Sequence, residues 1–240
     1  MPIPAAFRLL PLLRWRAVLA LTAWIGAAGP VCAGRPLATD DAGTVGAGRC
    51  QVEAWGERGH GSSGLVLAPA CGLGESVEIG LELRRLHGQE LRRSSALALK
   101  WVDPDWRAGP WRFGFKAYGG TQRQRDGTVE AMSTGALLLG SVDLRESLQL
   151  HLNLGDEYDR GLRRHHAHSH AALTWEPGEA WQVFAELYAA QGQGGAMRGA
   201  GLRRWLIKDR LGLDLTGMHV PGNQGPTLWT LGLGWYGAGQ

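Results

Sequence analysis

The chain has 240 residues, a formal charge of +3, 37 glycines and 11 tryptophans. The whole charge excess lies in Arg8, Arg14 and Arg16; past residue 33 there are 22 basic and 22 acidic side chains. The basic balance is therefore no footprint of a nucleic-acid partner. Beyond residue 33 no apolar run approaches the roughly 20 residues of a membrane-spanning helix.

Residues 1–33 have the build of a signal peptide. A basic start precedes the apolar run Ala17 to Ala28, and Val31-Cys32-Ala33 places small residues before Gly34, the expected mature start. Residues 34–48 (GRPLATDDAGTVGAG) form a turn-rich lead-in without periodicity, with Asp40 and Asp41 as turn-forming acids. In a barrel, this lead-in has room to fold into the lumen. The run Arg35-Pro36-Leu37-Ala38-Thr39-Asp40-Asp41-Ala42-Gly43-Thr44, followed by a strand, resembles the opening of the MetA-pathway phenol-degradation family of small outer-membrane proteins. The likeness is sharpest from Arg35 to Glu53. It implies an outer-membrane barrel and transport of a small solute, aromatic or apolar.

From residue 49 to 240 the chain reads as strands. The clearest is 146–155, where Leu148, Leu150, Leu152 and Leu154 alternate with Gln149, His151 and Asn153. A period of two puts the leucines on one face and the polar groups on the other. Similar alternations predict twelve strands, at 49–58, 64–71, 76–85, 94–102, 110–119, 132–142, 146–155, 166–175, 180–189, 198–207, 210–218 and 228–237. Connections after even-numbered strands read as compact and those after odd-numbered strands as longer and more polar, the asymmetry of a bacterial outer-membrane barrel. The predicted fold is all-β, a transmembrane antiparallel β-barrel of about twelve strands.

The lipid faces are predicted to carry Ile79, Leu81 and Leu83, then Leu97, Leu99 and Trp101, and later Trp229, Leu231, Leu233 and Trp235. Tryptophans flank two short turns, as Trp101 with Trp111 and Trp175 with Trp181, which suits a headgroup girdle. Strands 132–142 and 198–207 are ambiguous, the second because either choice of face turns Arg203 or Arg204 to lipid. The opposite faces predict a lumen lined by Glu78, Glu82, Arg84, Lys100, Arg112, Lys116, Tyr118, Gln149, His151, Asn153, Gln182, Glu186, Tyr188 and Asp214. A dry soluble core would tolerate so many charges poorly.

Cys50 and Cys71 are equidistant from a turn at His60-Gly61 and so are expected to face each other as a disulfide in an oxidising compartment. His166, His168 and His170 share one face and could ligate a metal, with help from a neighbouring strand such as that of His151. No phosphate loop, CxxC or HExxH is present, so no cofactor is expected. Ser169 faces away from its flanking histidines, which leaves catalysis without a local signature. The carboxyl end runs past Trp235-Tyr236 to Gly237–Gln240, so the barrel-assembly machinery is expected to read internal strands. The function expected is an outer-membrane channel or transporter for small molecules, with outer-membrane lipid as surroundings. The rivals are a closed structural or binding barrel and a lipid-modifying enzyme.

Overall fold

The computed structural model describes residues 37–59, 61–88, 92–123, 127–192, 194–221 and 227–238. The expected signal peptide lies outside them. The described residues form β1 (Cys50–Gly59), β2 (Ser62–Gly72), β3 (Val77–His87), β4 (Arg92–Trp101), β5 (Arg107–Ala108), β6 (Trp111–Arg123), β7 (Val129–Arg145), β8 (Leu148–Asp159), β9 (Arg164–Gly178), β10 (Trp181–Ala190), β11 (Met197–Ile207), β12 (Leu211–His219) and β13 (Thr227–Ala238). β5 is a two-residue ribbon on β6. The other twelve pair antiparallel with their neighbours, and β1 pairs with β13. The result is a closed twelve-stranded antiparallel barrel, whose strands lie within a few residues of those expected.

Closure explains the alternation. With no free edge, every strand has one face outward and one inward along its length. Leu81, Leu97, Leu154, Leu215 and Leu231 are exposed outside, while His151, Asn153, Lys116 and Asp214 are buried inside. An exposed apolar belt on this scale is the lipid face of a membrane barrel. Trp101, Trp175, Trp181 and Trp235 lie exposed near the end where β2–β3, β8–β7 and β10–β9 make their turns.

Two sequence readings change. The asymmetry of the connections is milder than expected, because polar stretches read as loop continue as paired strand. β7 runs for 17 residues and β9 for 15. The loop-end connection between β8 and β9 contracts to residues 160–163, while the compact side includes the longer stretch 102–110. Backbone pairing does not need an apolar side chain, so a ladder extends past the membrane belt where alternation fades. The Arg203/Arg204 dilemma is resolved by Arg203 turning inward onto Asp214, with Nε–Oδ1 2.6 Å. Arg204 points outward and lies 4.8 Å over the ring of Trp181, its cross-strand partner. That places its charge in the tryptophan girdle rather than in the apolar belt.

The hairpin β1–β2 has the register the cysteines require: Cys50 pairs with Cys71, their Cα atoms 4.1 Å apart, and the disulfide is formed. A bridge closing a loop of this size contributes about 3 kcal/mol by restricting the unfolded chain. The Cys50→Ser, Cys71→Ser double variant is therefore expected to unfold at clearly lower denaturant concentration. Alkylation of the parent without reductant should add no label; labelling of two thiols would show the bridge absent.

Just before β1 the chain turns into the barrel. Gly48 N donates to Gly72 O at 3.2 Å, Gly72 N donates to Arg49 O at 2.9 Å, and Ala47 bridges Gly72. A β-carbon on Gly72 would stand 2.0 Å from Gly46 O, and Gly46 and Gly48 both have positive φ. Glycine at these three positions is what lets the segment fold back against β2.

Candidate functional site

Residues 37–48 occupy the lumen. Their backbone amides, having no strand partner, are satisfied by side chains of the barrel wall. Ala38 N and Thr39 N donate to Glu186 Oε2 at 2.8 and 3.2 Å. Asp40 N donates to Asn153 Oδ1 at 2.8 Å, and Asn153 Nδ2 returns a bond to Asp40 O at 2.9 Å. Ala42 N donates to Ser141 Oγ at 2.8 Å, and Val45 N to Glu78 Oε2 at 3.0 Å. Side chains from β3, β7, β8 and β10 thus replace the ladder that the segment lacks, which is the accounting buried amides demand.

Two lysines hold the segment's carboxylates. Lys116 Nζ lies 2.7 Å from Asp40 Oδ2, and Lys100 Nζ lies 2.7 Å from Asp41 Oδ1 and 3.6 Å from Asp40 Oδ1. Asp40 and Lys116 are each 3% exposed, so this pair is withdrawn from solvent and each charge depends on the other. Beside it, Ala42 packs on Leu137, Leu139, Tyr118 and Ala98 in a small apolar cluster. Leu137 and Leu139 therefore point into the barrel. That is why strand 132–142 looked apolar on both faces.

Below the segment, toward the turn end, lies a cavity of about 580 Å³, with Asp41, Thr44, Lys100, His151, Gln182 and Tyr236 among its lining. Above it, toward the loop end, sits an aromatic and imidazole cluster. Tyr118 Oη donates to Glu157 Oε2 at 3.0 Å and lies 3.3 Å from His168 Nε2. His168 Nδ1 is 3.0 Å from His170 Nε2, and the ring of His170 lies 4.5 Å from that of Tyr188.

The lumen residues read from sequence fall into distinct groups. Glu78, Lys100, Lys116, Asn153 and Glu186 contact the segment directly, and His151 does so through Ser141, its Nδ1 2.9 Å from Ser141 Oγ. Tyr118 and Tyr188 belong to the upper cluster. Arg84 spans Glu82 at 3.3 Å and Glu57 at 3.6 Å. Asp214 anchors Arg203. Arg112 and Gln149 meet on Asp143 at the turn-end rim, at 3.0 and 2.8 Å, and Gln182 joins Glu176 there at 3.1 Å.

The histidine ladder does not form a metal set. Among the described residues no group of three or more His, Cys, Asp or Glu is placed to hold an ion. His166 instead accepts from Arg164 Nε at 2.9 Å, while His168 and His170 turn toward each other. Strand rise separates their backbones, but the imidazoles lean together. Ser169 stands away from this pair, as expected. Among the described residues the Ser141–His151 contact, 2.9 Å, has Thr174 at the far nitrogen of the ring (3.4 Å).

Sequence reasoning missed Ser141, Thr39, Glu53, Arg203, Glu157 and Tyr236. Tyr236 Oη donates to Glu53 Oε1 at 2.6 Å and accepts from Arg203, so one network joins β1, β11, β12 and β13. Glu53 and Tyr236 each follow the inward phase of a cleanly alternating strand, which marked them as inward; the others sat on ambiguous strands, in the lead-in or beyond the apolar alternation.

The fold has solved relatives. A KdgM porin in complex with disordered oligogalacturonate superposes with a TM-score of 0.58 at 10% identity, covering 77% of this chain and 98% of that one. A NanC porin matches at the same TM-score, identity and coverage. The outer membrane phospholipase A of Escherichia coli matches with a TM-score of 0.52 at 10% identity, covering 83% and 94%. At such identities the likeness concerns fold alone. No curated protein resembles this chain closely enough in sequence to count as a match. The family model that matches is not the phenol-degradation family suggested by residues 35–53. It spans residues 19–232, and the chain belongs to the family described as uncharacterised conserved protein UCP029691.

Proposed function

We propose that this protein is an outer-membrane channel for small polar solutes, held closed by residues 37–48 and opened when that segment withdraws toward the turn end. The observation that carries the reading is the way the segment is held. It crosses the lumen on hydrogen bonds and ion pairs, which water can replace, and has one small apolar contact at Ala42. Glycines 46, 48 and 72 supply the bend about which it would swing. Once vacated, the wall would present Lys100, Lys116, Glu78, Glu186 and Asn153 to the pore. Such a lining favours polar or charged solutes over the apolar ones that the phenol-degradation resemblance implied. The likeness to the KdgM and NanC porins supports a pore-forming fold. The outer membrane as location rests on the exposed belt and the tryptophan girdle.

The likeness to a phospholipase barrel raises the enzymatic alternative. Ser141 and His151 are both buried inside the barrel, where they hold Ala42, and neither reaches the lipid face. A lipid-modifying role has no support from that pair.

The test is conductance in planar bilayers and swelling of loaded liposomes, for the mature chain and for a variant lacking residues 37–46. The expected result is low, intermittent conductance in the parent and steady conductance in the deletion variant. A folded deletion variant that neither conducts nor admits sugars would make the closed structural barrel the better reading.

A further inference from the structure

The outer surface carries a charge pattern that conduction does not use. On β3, β4 and β6, Arg85 pairs across the ladder with Arg93, and Arg93 with Arg123. All three are exposed and outward-facing, at the loop-end limit of the apolar belt. Adjacent strands lie about 5 Å apart, so three like charges stand in a row at closest approach, an arrangement that costs stability unless an anion bridges them. Among the described residues neither Arg85 nor Arg93 meets a carboxylate, and Arg123 donates to Gly127 O at 3.4 Å. A groove of about 750 Å³ adjoins the row, with Leu65 and Leu67 on its apolar side and Leu83, Ser95 and Thr121 forming the next row toward the belt. The other rim of the barrel is marked by tryptophan.

We propose that this row and groove bind a phosphate-bearing lipid of the outer leaflet. Its phosphates would lie across Arg85, Arg93 and Arg123, and an acyl chain along Leu65, Leu67 and Leu83. One feature selects phosphate, and a second selects a lipid over a free anion. The guanidinium fork suits phosphate oxygens in pairs, and the apolar strip leads from the arginines straight into the membrane belt. The inference rests on the barrel spanning the outer membrane with its loop end outward, and it holds whether or not the lumen conducts.

The test is titration of the refolded, full mature chain in detergent, followed by native mass spectrometry. The probes are bis-phosphorylated lipid A, the same lipid without phosphates, and inorganic pyrophosphate. The parent should retain lipid A and bind the other two far more weakly. Each basic residue near an anionic lipid surface contributes roughly fivefold, so the Arg85→Gln, Arg93→Gln, Arg123→Gln variant should lose on the order of a hundredfold. The corresponding triple lysine variant should fall between the parent and the glutamine variant, because charge is retained while the paired donation of the guanidinium fork is lost. All variants should show the parent's heat-dependent gel mobility, since the three side chains are exposed on the outer face and their replacement leaves the ladder's backbone pairing intact. Equal binding of the dephosphorylated lipid, pyrophosphate bound as tightly as lipid A, or unchanged affinity in the glutamine variant would each overturn the proposal.

Discussion

Asp40→Ala is expected to turn a mostly closed barrel into a frequently open one. Asp40 is the carboxylate on which Lys116 depends, and it also lies 3.6 Å from Lys100. Lys116 is 3% exposed and has no room to reach bulk water while the segment stays in place. Removing one partner of such a pair costs on the order of 3 kcal/mol, a factor of about a hundred in the ratio of inserted to released segment. The barrel wall is unchanged, so the cost falls on the inserted state alone. Open probability in planar bilayers should rise accordingly. A triple variant, Asp40→Asn, Lys100→Gln, Lys116→Gln, should return toward the closed behaviour, because the buried Asp40–Lys116 pair no longer strands a charge, Asp41 is solvated by the cavity, and Glu78 keeps the N–H of Val45. If Asp40→Ala and the triple variant gate alike, the ion pairs are not the latch.

Asp214→Ala is expected to destabilise the barrel itself. Asp214 is 1% exposed and receives both Nε and Nη2 of Arg203, at 2.6 and 3.0 Å. Arg203 also donates to Tyr236, which donates to Glu53, so the network lies across the seam where β13 closes on β1. Losing the aspartate leaves a guanidinium 4% exposed without its bidentate partner. The expected cost is about 3–5 kcal/mol. It should appear as unfolding at lower urea concentration, read by the gel mobility of unheated samples. The triple variant Arg203→Met, Asp214→Leu, Glu53→Gln should recover much of this loss, because it strands no charge, whereas leaving Glu53 ionised would keep a buried carboxylate beside the vacated guanidinium position. Unfolding of the single variant at the parent's midpoint would show that the network does not secure the seam.

The alternation of leucines in β8 was legible because a two-residue period needs no partner to be recognised: it follows from the pleat. The same holds for the Cys50–Cys71 pair, since a two-residue turn sets the register of a hairpin. Strand ends were less legible. The final residues of β7 and β9 pair through backbone groups that every residue carries, so their polar side chains gave no sign of the ladder. The histidines at 168 and 170 show a similar limit, because side-chain lean closed a gap that backbone spacing left open.

From the amino-acid sequence alone came the barrel, its twelve strands, which face of most strands meets lipid, and the disulfide. Each is a local or nearest-neighbour property, set by periodicity and by turn length. Tertiary structure alone decided what fills the lumen. Glu186, Asn153, Ser141, Lys116 and Glu78 lie on separate strands, and a turn-rich segment without periodicity says nothing of the wall it will meet. The inward leucines of β7 were settled in the same way, because Ala42, almost a hundred residues away, comes within reach when the barrel closes around the segment. The inward turn of Arg203 is a hairpin pairing with Asp214, left unread because strand 198–207 carries arginine on both faces.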